Sequence, residues 1–456
     1  MEGVKRRKEM KILLCCEFYP PSVGGVQEVM RQLAERLVVR GHSVTVATTA
    51  MPTRGFQSLR GVHIKEFSVS GNLAHGMKGD LEGYRQFVTT SAFDVVMIKA
   101  AQQWTFDALW PVLHKIRTIF IPCGFSCLYE PEYADYFRRL PAILRQCDHL
   151  IFYSSEYRDI DFARKHGLGD LSIIPNGASE TEFNNVTRDR TFRERYGLRD
   201  EELLFLTVGS PTRLKGHYEI AEAFLKADFS GRLATLLLND GSRLQSRPVV
   251  PSMRTKVREY SKAVRAVTER EGVLPAVVHM GHGVLNKVGI RAGRYARHDQ
   301  GRQSAKKDEL QVLIEKVHSQ GTGKRILLTD LPRTELIQAY VHADLFVFAS
   351  HVEYSPLVLF ESVAAGTPFL SVPVGNAAEI AVWTGAGVIC PASQDHRGYT
   401  KVDPDLFAER WASLARDREY LRGIGLTGKQ NWAARFTWER ITDQYEGVFL
   451  KVAAHG

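Results

Sequence analysis

The amino-acid sequence predicts an α/β protein made of two doubly wound domains, and three observations lead to this prediction. Short apolar runs recur along the chain and are separated by helix-length segments, as in parallel sheets with helices on both faces. The chain has 456 residues, which is too long for one ordinary domain. Its composition, 44% hydrophobic and 24% charged, is that of a globular protein, and no apolar run approaches the ~18 residues that span a bilayer.

The first domain opens with a strand, a glycine-containing loop, a helix and a second strand. The strands are predicted over Lys11–Cys16 and Ser43–Thr48, and the helix over Val26–Val39 has apolar residues at helical spacing. Gly24 and Gly25 let the backbone approach a ligand closely at the helix start. The loop is not a G-x-G-x-x-G motif, and no acidic residue ends the second strand, so a dinucleotide fingerprint is excluded.

Four further short apolar runs complete the first sheet. They are Phe93–Ile98, Thr118–Ile121, Leu150–Tyr153 and Leu171–Ile174. The charged segment Glu180–Glu202, with a short helix at Thr191–Tyr196, is predicted to connect the two domains.

The second domain repeats the pattern of buried strands and helices. Its predicted strands are Leu203–Val208, Leu233–Leu238, Arg325–Thr329, Leu345–Ser350, Phe369–Val372 and Val388–Cys390. Its predicted helices are His217–Lys226, Thr334–His342, Asp403–Ala415 and Glu419–Phe436, and a closing helix follows over Trp438–Val452.

A basic insertion interrupts the second domain. The net charge is +9, and the segment Ser242–Glu309 contains 15 Lys and Arg against 6 Asp and Glu, so the rest of the chain balances at 45 of each. A helix is predicted at Thr255–Arg270. The segment is a flexible loop, a docking surface for anionic lipid headgroups or a grip on an anionic acceptor. Aromatic residues are sparse in it, so nucleic-acid binding is not expected.

The stretch His351–Glu379 carries the strongest chemical signal and reads HVEYSPLVLFESVAAGTPFLSVPVGNAAE. Glu353 follows a buried strand, and Glu361 lies about one and a half turns into a helix whose first turn contains Pro356. Ligands of open α/β sheets bind outside the carboxyl ends of the strands. Carboxylates accept hydrogen bonds from hydroxyl groups, and free N–H groups at the helix start hold phosphate oxygens, so the stretch suits a sugar nucleotide. The residues at this helix start are Tyr354, Ser355, Pro356 and Leu357.

Glu353-x7-Glu361, the AAGTP that follows and the later Gly375-Asn-Ala-Ala-Glu379 resemble the donor-site signature of retaining GT-B glycosyltransferases of the family 4 group, also called glycosyl transferases group 1. The resemblance implies two Rossmann-like domains that face each other across a cleft. The acceptor side would be residues 9–185, with the C-terminal helix 438–456 packing back on it. The nucleotide-sugar side would be residues 186–437, which contain the insertion 242–309.

The resemblance also implies the site residues. Lys215 matches the family's Lys-Gly and would neutralise the donor diphosphate, whereas the family's Gly-Arg is replaced by Gly209 and Ser210, so Arg213 would substitute from the same loop. The implied catalytic residues are Glu353, Lys215 and Arg213. The implied donor-binding residues are Gly24, Gly25, Gly209, Ser210, Lys215, Thr329, Leu331, Glu353, Tyr354, Ser355, Pro356, Leu357 and Glu361.

The sequence departs from the family at one catalytic position. Many members carry a His after a first-domain strand, but Phe120–Ser126 occupies that place and contains none. Ser126 or the backbone of Gly124 would contact the sugar instead. No cofactor or metal is expected, because the two Asp-x-Asp sequences, at Asp159 and Asp403, are interpreted as helix caps.

The predicted function is transfer of a sugar, with retention, from a nucleoside-diphosphate sugar to a glycan, a lipid-linked sugar or a small hydroxyl compound. The alternatives are a catalytically weak or inactive nucleotide-sugar-binding scaffold, or another GT-B activity such as a sugar-phosphate synthase, hydrolase or epimerase. The charged start Met1–Met10 does not resemble a signal peptide, and the six cysteines form no zinc-type pattern. A cytoplasmic protein is therefore expected, and it would be peripheral on the inner face of the membrane if the segment 242–309 docks on anionic lipid headgroups.

Overall fold

The structure is a computed structural model that describes residues 9–210, 212–240 and 309–454. The strands of the first domain are β1 (Lys11–Cys15), β2 (Ser43–Thr49), β3 (Ser58–Leu59), β4 (Val62–Phe67), β5 (Val69–Asn72), β6 (Gly76–Gly79), β7 (Val95–Lys99), β8 (Thr118–Ile121), β9 (His149–Phe152) and β10 (Leu171–Ile173). Eight of them form one sheet in the order β10-β9-β8-β7-β1-β2-β4-β3, in which only β3 is antiparallel to its neighbour. Strands β5 and β6 form a separate hairpin.

The helices of the first domain are α1 (Gly25–Val39), α2 (Leu81–Thr90), α3 (Trp104–Asp107), α4 (Ala134–Leu144) and α5 (Arg158–Lys165), with 3-10 turns at Trp110–Lys115 and Pro131–Tyr133. Strand β1 shows how they enclose the sheet. Leu13 and Cys15 belong to one hydrophobic cluster, and Ile12 and Leu14 to another, on opposite faces of the strand. All four side chains are buried, which explains why this strand reads as a continuous apolar run.

The strands of the second domain are β11 (Leu203–Val208), β12 (Ala234–Asn239), β13 (Lys324–Thr329), β14 (Leu345–Phe348), β15 (Phe369–Ser371) and β16 (Gly387–Ile389). They form an all-parallel sheet in the order β13-β12-β11-β14-β15-β16. A small antiparallel hairpin follows, formed by β17 (Ser393–Gln394) and β18 (Thr400–Lys401). All twelve predicted strands are present, each within two residues of its predicted ends.

The helices of the second half are α6 (Glu180–Phe183), α7 (Phe192–Arg195), α8 (His217–Lys226), α9 (309–319), α10 (Arg333–His342), α11 (Leu357–Ala365), α12 (Ala377–Thr384), α13 (Pro404–Arg416), α14 (Arg418–Arg435) and α15 (Trp438–Ala454), with a 3-10 turn at Arg213–Lys215. Their apolar faces pack into one cluster with the second sheet, whereas the buried side chains of α15 belong to a first-domain cluster. The predicted helix at Thr255–Arg270 lies outside the described residues.

The chain passes between the domains at two neighbouring points. Ala178 forms a parallel β-bridge with Thr437, so the outgoing and returning segments lie side by side. Phe183 is already buried in the hydrophobic cluster of the second domain, so the crossing comes before the predicted boundary at 185. On the return, Trp438 and Ile441 of α15 pack into the first-domain cluster that contains α1.

Between 49 and 92 the sequence analysis predicted no elements, yet the structure contains β3 to β6 and α2 there. Strand β4 alternates exposed His63 and Lys65 with buried neighbours, which is the pattern of a half-buried strand rather than a central one. Helix α2 begins at a true cap, since the Asp80 carboxylate accepts a hydrogen bond from Gly83 N at 2.9 Å. The alternation in β4 and the cap of α2 are both short local patterns. Neither is a continuous apolar run, so the sequence prediction did not include these elements.

In the part of the chain that the structure describes, no helix is long and apolar enough to cross a bilayer. The membrane-docking prediction concerns 242–309, and all of that segment except Glu309 lies outside the described residues.

Candidate functional site

The loop from β14 into α11 places Glu353 at the carboxyl edge of the second sheet. Helix α11 begins at Leu357, and the predicted first-turn residue Pro356 is its N-cap, with extended backbone. The helix ends at Gly366, whose φ of 84° is the left-handed conformation that glycine adopts without strain. Glu361 therefore lies in the second turn of the helix, as predicted, one turn deeper than the loop carboxylate.

Lys215 and Glu353 come together as an ion pair between Lys215 Nζ and Glu353 Oε1. They are 138 residues apart in the chain, but they follow β11 and β14, which are paired parallel neighbours whose carboxyl ends meet. Ser350 Oγ also lies 3.1 Å from Glu353 Oε1. The pair is partly exposed, with 30% of the Lys215 side chain and 16% of the Glu353 side chain accessible, so a ligand can reach both charges.

Gly216 explains why a glycine follows the lysine. It has a φ of 71°, and a Cβ there would overlap the carbonyl oxygen of Ala349. The close approach lets Leu214 O accept hydrogen bonds from His351 N at 2.8 Å and from Ser350 Oγ at 2.9 Å. The two loops that carry Lys215 and Glu353 are therefore tied together by backbone contacts.

Glu361 is held by an arginine that the sequence analysis did not identify. Arg333 forms ion pairs with Glu361 at 2.7 Å and with Glu182 at 2.7 Å. Burial opposes the positive charge, but the two carboxylates outweigh it and raise the pKa of Arg333 above its ordinary value. The arginine stands at the first position of α10, where a charged residue looks like part of a solvated face, so sequence alone does not reveal the pairing.

Arg213, predicted to substitute for the missing family arginine, is engaged elsewhere in this structure. Its Nη1 pairs with Glu309 at 3.1 Å, and its guanidinium lies 4.3 Å from the centroid of the Tyr218 ring. Gly209 lies against the next helix, because a Cβ at this position would be 3.3 Å from His217 Nε2. His217 is 1% exposed, and burial lowers its pKa to about 4, so it is a neutral imidazole beside the predicted diphosphate loop.

The loop after β13, which contains the predicted donor-binding residues Thr329 and Leu331, is fixed by a side chain from the neighbouring strand. Leu331 N donates to Asn239 Oδ1 at 2.7 Å, and Thr329 Oγ1 is 3.3 Å from the same atom. Asn239 ends β12, which pairs with β13. One amide oxygen therefore sets the position of both predicted residues.

The glycine loop of the first domain faces the start of α11. Gly24 is the N-cap of α1, Gly25 is its first residue, and a Cβ at Gly25 would lie 3.8 Å from Leu357 Cδ1. The amino ends of α1 and α11 therefore approach each other across the two domains. Each end carries unpaired N–H groups and the positive end of a helix dipole, which together favour a phosphate group.

Tyr354 connects the site to the first domain. Its ring stacks on Tyr153 with centroids 5.1 Å apart and lies 5.0 Å from the Tyr157 ring. Its hydroxyl accepts from Tyr153 N at 2.9 Å, and Tyr157 donates its hydroxyl to Glu353 O at 2.6 Å. The backbone of the loop that carries Glu353 is thus positioned by aromatic residues from the opposite domain.

The Gly375-Asn-Ala-Ala-Glu379 sequence forms a second interdomain contact. Asn376 Nδ2 donates to Tyr153 O at 2.9 Å, and Glu379 Oε1 accepts from Ser155 N at 2.9 Å. Gly375 has a φ of 55°, and a Cβ there would overlap the carbonyl oxygen of Tyr354. This part of the motif therefore holds the two domains together in this structure.

Unusual backbone conformations concentrate on the first-domain side. Four non-glycine residues with positive φ lie in the loops after β7 and β8, namely Ala100, Gln102, Cys123 and Phe125. Such conformations cost free energy and persist where the surrounding structure enforces them, often at functional sites. The loop after β8 is the segment in which the family His is missing.

Gly124 in that loop has little freedom to contact a sugar through its N–H, because that group donates to Asp159 Oδ2 at 2.9 Å. The exposed Ser126 hydroxyl lies 3.8 Å from Cys127 Sγ. Asp159 is buried inside the first turn of α5 and does not cap it, which corrects its interpretation as a cap. Asp403, in contrast, accepts from Asp405 N and Leu406 N and is a cap, as predicted.

Two buried carboxyl groups of the first domain hold protons more tightly than usual. Burial raises the pKa of Asp107 and of Asp159 to about 6 each. In the unfolded chain both pKa values return to about 3.9. The folded state therefore binds more protons between about pH 4 and 6, and the stability that these groups contribute is complete below pH 4 and is lost as the pH rises through 6.

We expect Asp159→Asn to gain about 1–2 kcal/mol of unfolding free energy relative to the wild type between pH 5 and 7.5. The reason is that the amide does not ionise, whereas wild-type Asp159 must ionise in a buried site. Urea unfolding at several pH values measures the difference. Asp161→Asn, on the exposed face of the same helix, is the matched control and should show no such trend. A difference for Asp159→Asn that does not vary with pH would contradict the assignment.

Among residues 9–210, 212–240 and 309–454, no group of three or more His, Cys, Asp and Glu side chains is arranged to hold a metal ion. The predicted independence from metal remains a prediction.

Two family models match the chain. The model "Glycosyltransferase Family 4" matches residues 23–182, and the model "Glycosyl transferases group 1" matches residues 292–420. An N-acetyl-alpha-D-glucosaminyl L-malate synthase from Bacillus anthracis is 20% identical over 97% of both chains. A D-inositol 3-phosphate glycosyltransferase from Nocardia farcinica is 35% identical over 29% of this chain and 27% of its own.

Solved structures show the same architecture. Sucrose-phosphate synthase from Thermosynechococcus elongatus superposes with a TM-score of 0.66 at 17% identity, covering 98% of this chain and 100% of its own. Anabaena HepE in complex with UDP superposes with a TM-score of 0.65 at 14% identity, covering 97% and 100%. The predicted GT-B fold is confirmed. The two glycosyltransferase models, one in each half of the chain, support the predicted family 4, group 1 type.

Proposed function

We propose, from the premise that both halves of this GT-B chain match glycosyltransferase models, that it transfers a sugar from a nucleoside-diphosphate sugar to a hydroxyl acceptor with retention of configuration. The second domain would hold the donor, and the first would present the acceptor. Among the candidate acceptors, we favour a small hydroxyl compound. Two relatives support this choice, because their names specify L-malate and inositol 3-phosphate.

One observation carries the proposal, the pairing of Lys215 with Glu353 beside the facing amino ends of α1 and α11. A leaving diphosphate gains negative charge as the glycosidic bond breaks. An ammonium group and free helix N–H groups fixed in advance stabilise that charge without reorganisation. Glu353 can accept a hydrogen bond from a sugar hydroxyl, and Glu361 from the ribose.

Retention follows if the acceptor attacks the face from which the diphosphate leaves. A departing phosphate oxygen then takes the acceptor proton, so this chemistry requires no protein base at the position of the missing His. The short distance between the amino ends of α1 and α11 supports such an arrangement, because the loops that would hold the acceptor and the donor would then lie close together. Complexes of Anabaena HepE with UDP and with UDP-glucose support a nucleotide sugar as the donor.

Thermal denaturation with UDP, GDP, ADP and their sugars tests the donor site. Because a ligand that binds only the folded state stabilises it, we expect one nucleotide to raise the melting temperature by several degrees at about 100 times its Kd. The corresponding nucleoside without phosphate is the control and should have a much smaller effect. If a well-folded sample shows no shift with any nucleotide, the donor site is wrongly assigned. Binding without any transfer or donor hydrolysis would favour the inactive scaffold instead.

A further inference from the structure

Arg158 is a cation beside the candidate site that has no carboxylate partner among the described residues. It is the first residue of α5, directly after β9, so it lies at the carboxyl edge of the first sheet. The loops after β1 and β8, which hold Gly24 and Gly124, begin at the same edge. This edge is where open parallel sheets bind their ligands.

The guanidinium of Arg158 is held by aromatic rings. Its carbon atom Cζ lies 5.6 Å from the centroid of Tyr129 and 5.1 Å from that of Tyr157. Contacts of this kind cover the faces of a guanidinium and do not pair the N–H groups along its edge. One of these groups, on Nη2, donates to the Tyr157 hydroxyl at 3.1 Å.

The other terminal nitrogen lacks a partner within the described part of the chain. Nη1 of Arg158 is buried and forms no hydrogen bond with any described residue. A buried donor on a permanently charged group is costly when it is left unpaired, by more than a neutral donor would be. The arrangement is therefore incomplete without an acceptor of hydrogen bonds at Nη1.

The position connects Arg158 to the reacting end of the cleft. The Tyr157 hydroxyl that accepts from Arg158 donates to the carbonyl oxygen of Glu353, so one tyrosine separates the cation from the backbone of the predicted sugar-binding loop. The β17–β18 hairpin of the second domain lies next to it, since a Cβ at Gly398 would be 3.6 Å from Arg158 Nη2. The hairpin contacts the loop that carries Glu353, because Thr400 N donates to His351 O at 2.8 Å.

We propose that Arg158 binds an anionic group, a carboxylate or a phosphate, on the acceptor, so that the substrate is a negatively charged hydroxyl compound. This rests on the proposed function and adds the acceptor class to it. Both anions match the edge of a guanidinium and accept two parallel hydrogen bonds from it. Bound there, the anion would supply the missing partner of Nη1 and hold the rest of the acceptor towards Glu353.

Glucose, glucose 6-phosphate and glucuronate are suitable probes, because they share one ring and differ in charge and in the type of anion. Isothermal titration would be carried out on the full chain, saturated with the nucleotide that stabilises it most. We expect one of the two anionic sugars to bind at least about 10-fold more tightly than glucose. The comparison of phosphate with carboxylate identifies the anion.

Arg158→Gln should remove this preference, lowering affinity for the anionic sugar about 10- to 100-fold while affinity for the nucleotide stays unchanged. Arg158→Lys keeps the charge but loses the paired donors. Its affinity for the anionic sugar should therefore lie between those of the wild type and Arg158→Gln. Arg435→Gln is the matched control, because Arg435 also lies over an aromatic ring, that of Phe436, but belongs to α14 of the second domain. The Arg435→Gln variant should bind the three sugars with wild-type affinity.

Equal binding of all three sugars by the wild type, or a preference that survives in Arg158→Gln, would overturn the proposal. Nucleotide binding, measured in the same samples, distinguishes failure of the Arg158 assignment from failure of the proposed function. If the nucleotide binds but the anion preference is absent, the assignment of Arg158 fails and the donor site stands. If the nucleotide does not bind, the proposed function itself fails.

Discussion

Lys215→Ala is expected to slow nucleotide-sugar turnover by a factor on the order of 10² to 10³, the cost of losing one group that stabilises transition-state charge. Lys215 pairs with Glu353 in the structure, and 30% of its side chain is accessible. Turnover can be measured without knowing the acceptor, as release of nucleoside diphosphate from the donor that binds best, with water as acceptor. The loss should appear mainly in kcat, because the charge on the diphosphate develops during the reaction.

The fold should tolerate this substitution. The Ser350 hydroxyl stays 3.1 Å from Glu353 Oε1, and the exposed side of the pair is open to water. Melting temperature and nucleotide affinity serve to check this. Lys226→Ala is the matched control, since Lys226 lies at the other end of α8 and pairs with Glu222 and Asp405. Its turnover should equal that of the wild type.

Arg213→Ala tests whether Arg213 contributes to the charge that stabilises the diphosphate. Arg213 was predicted to replace the arginine that normally follows Gly209, but its guanidinium lies against Tyr218 and Glu309. We therefore expect a smaller loss than for Lys215→Ala. A loss as large as that of Lys215→Ala would mean that Arg213 turns toward the diphosphate when donor is bound. Turnover within about threefold of the wild type in Lys215→Ala would contradict the role given to Lys215.

The parts of the site that the sequence predicted share a physical basis. Glu353, Glu361 and Lys215 each follow an apolar strand at a short distance, and the carboxyl ends of parallel strands meet at one edge of the sheet. Strand positions therefore determine which loops come together, and strands are readable as buried apolar runs. The same reasoning placed Gly24 and Gly25 at the start of α1.

The residues that were missed depend on contacts between distant elements. Arg333 and Glu182 meet through the packing of α10 against α6 and α11, and nothing in the local spacing of either residue indicates a partner. Asp159 looks like a helix cap in the sequence, but its carboxylate accepts from Gly124 N, 35 residues earlier. Arg158 reads as a surface cation, and only the rings of Tyr129 and Tyr157 distinguish it.

Glu361→Ala is expected to weaken nucleotide binding about 10- to 100-fold, because ribose hydroxyls would lose a charged acceptor worth about 1.5–3 kcal/mol. The side chain is 14% accessible and lies in the second turn of α11, behind the helix start that would hold the phosphates. Isothermal titration with the nucleotide measures the loss. Glu353→Gln should instead reduce turnover more than nucleotide affinity, since Glu353 would contact the sugar.

The interpretation of Glu361→Ala depends on Arg333, which pairs with both Glu361 and Glu182. Removing Glu361 leaves Arg333 paired with Glu182, so the arginine does not become an unpaired buried charge, and the protein should stay folded. Glu182→Ala is the matched control, because it removes the other carboxylate of Arg333 and leaves Glu361 paired. Nucleotide affinity should fall in Glu361→Ala and stay near the wild-type value in Glu182→Ala. The opposite result would mean that the orientation of Arg333, rather than the carboxylate of Glu361, controls how the nucleotide binds.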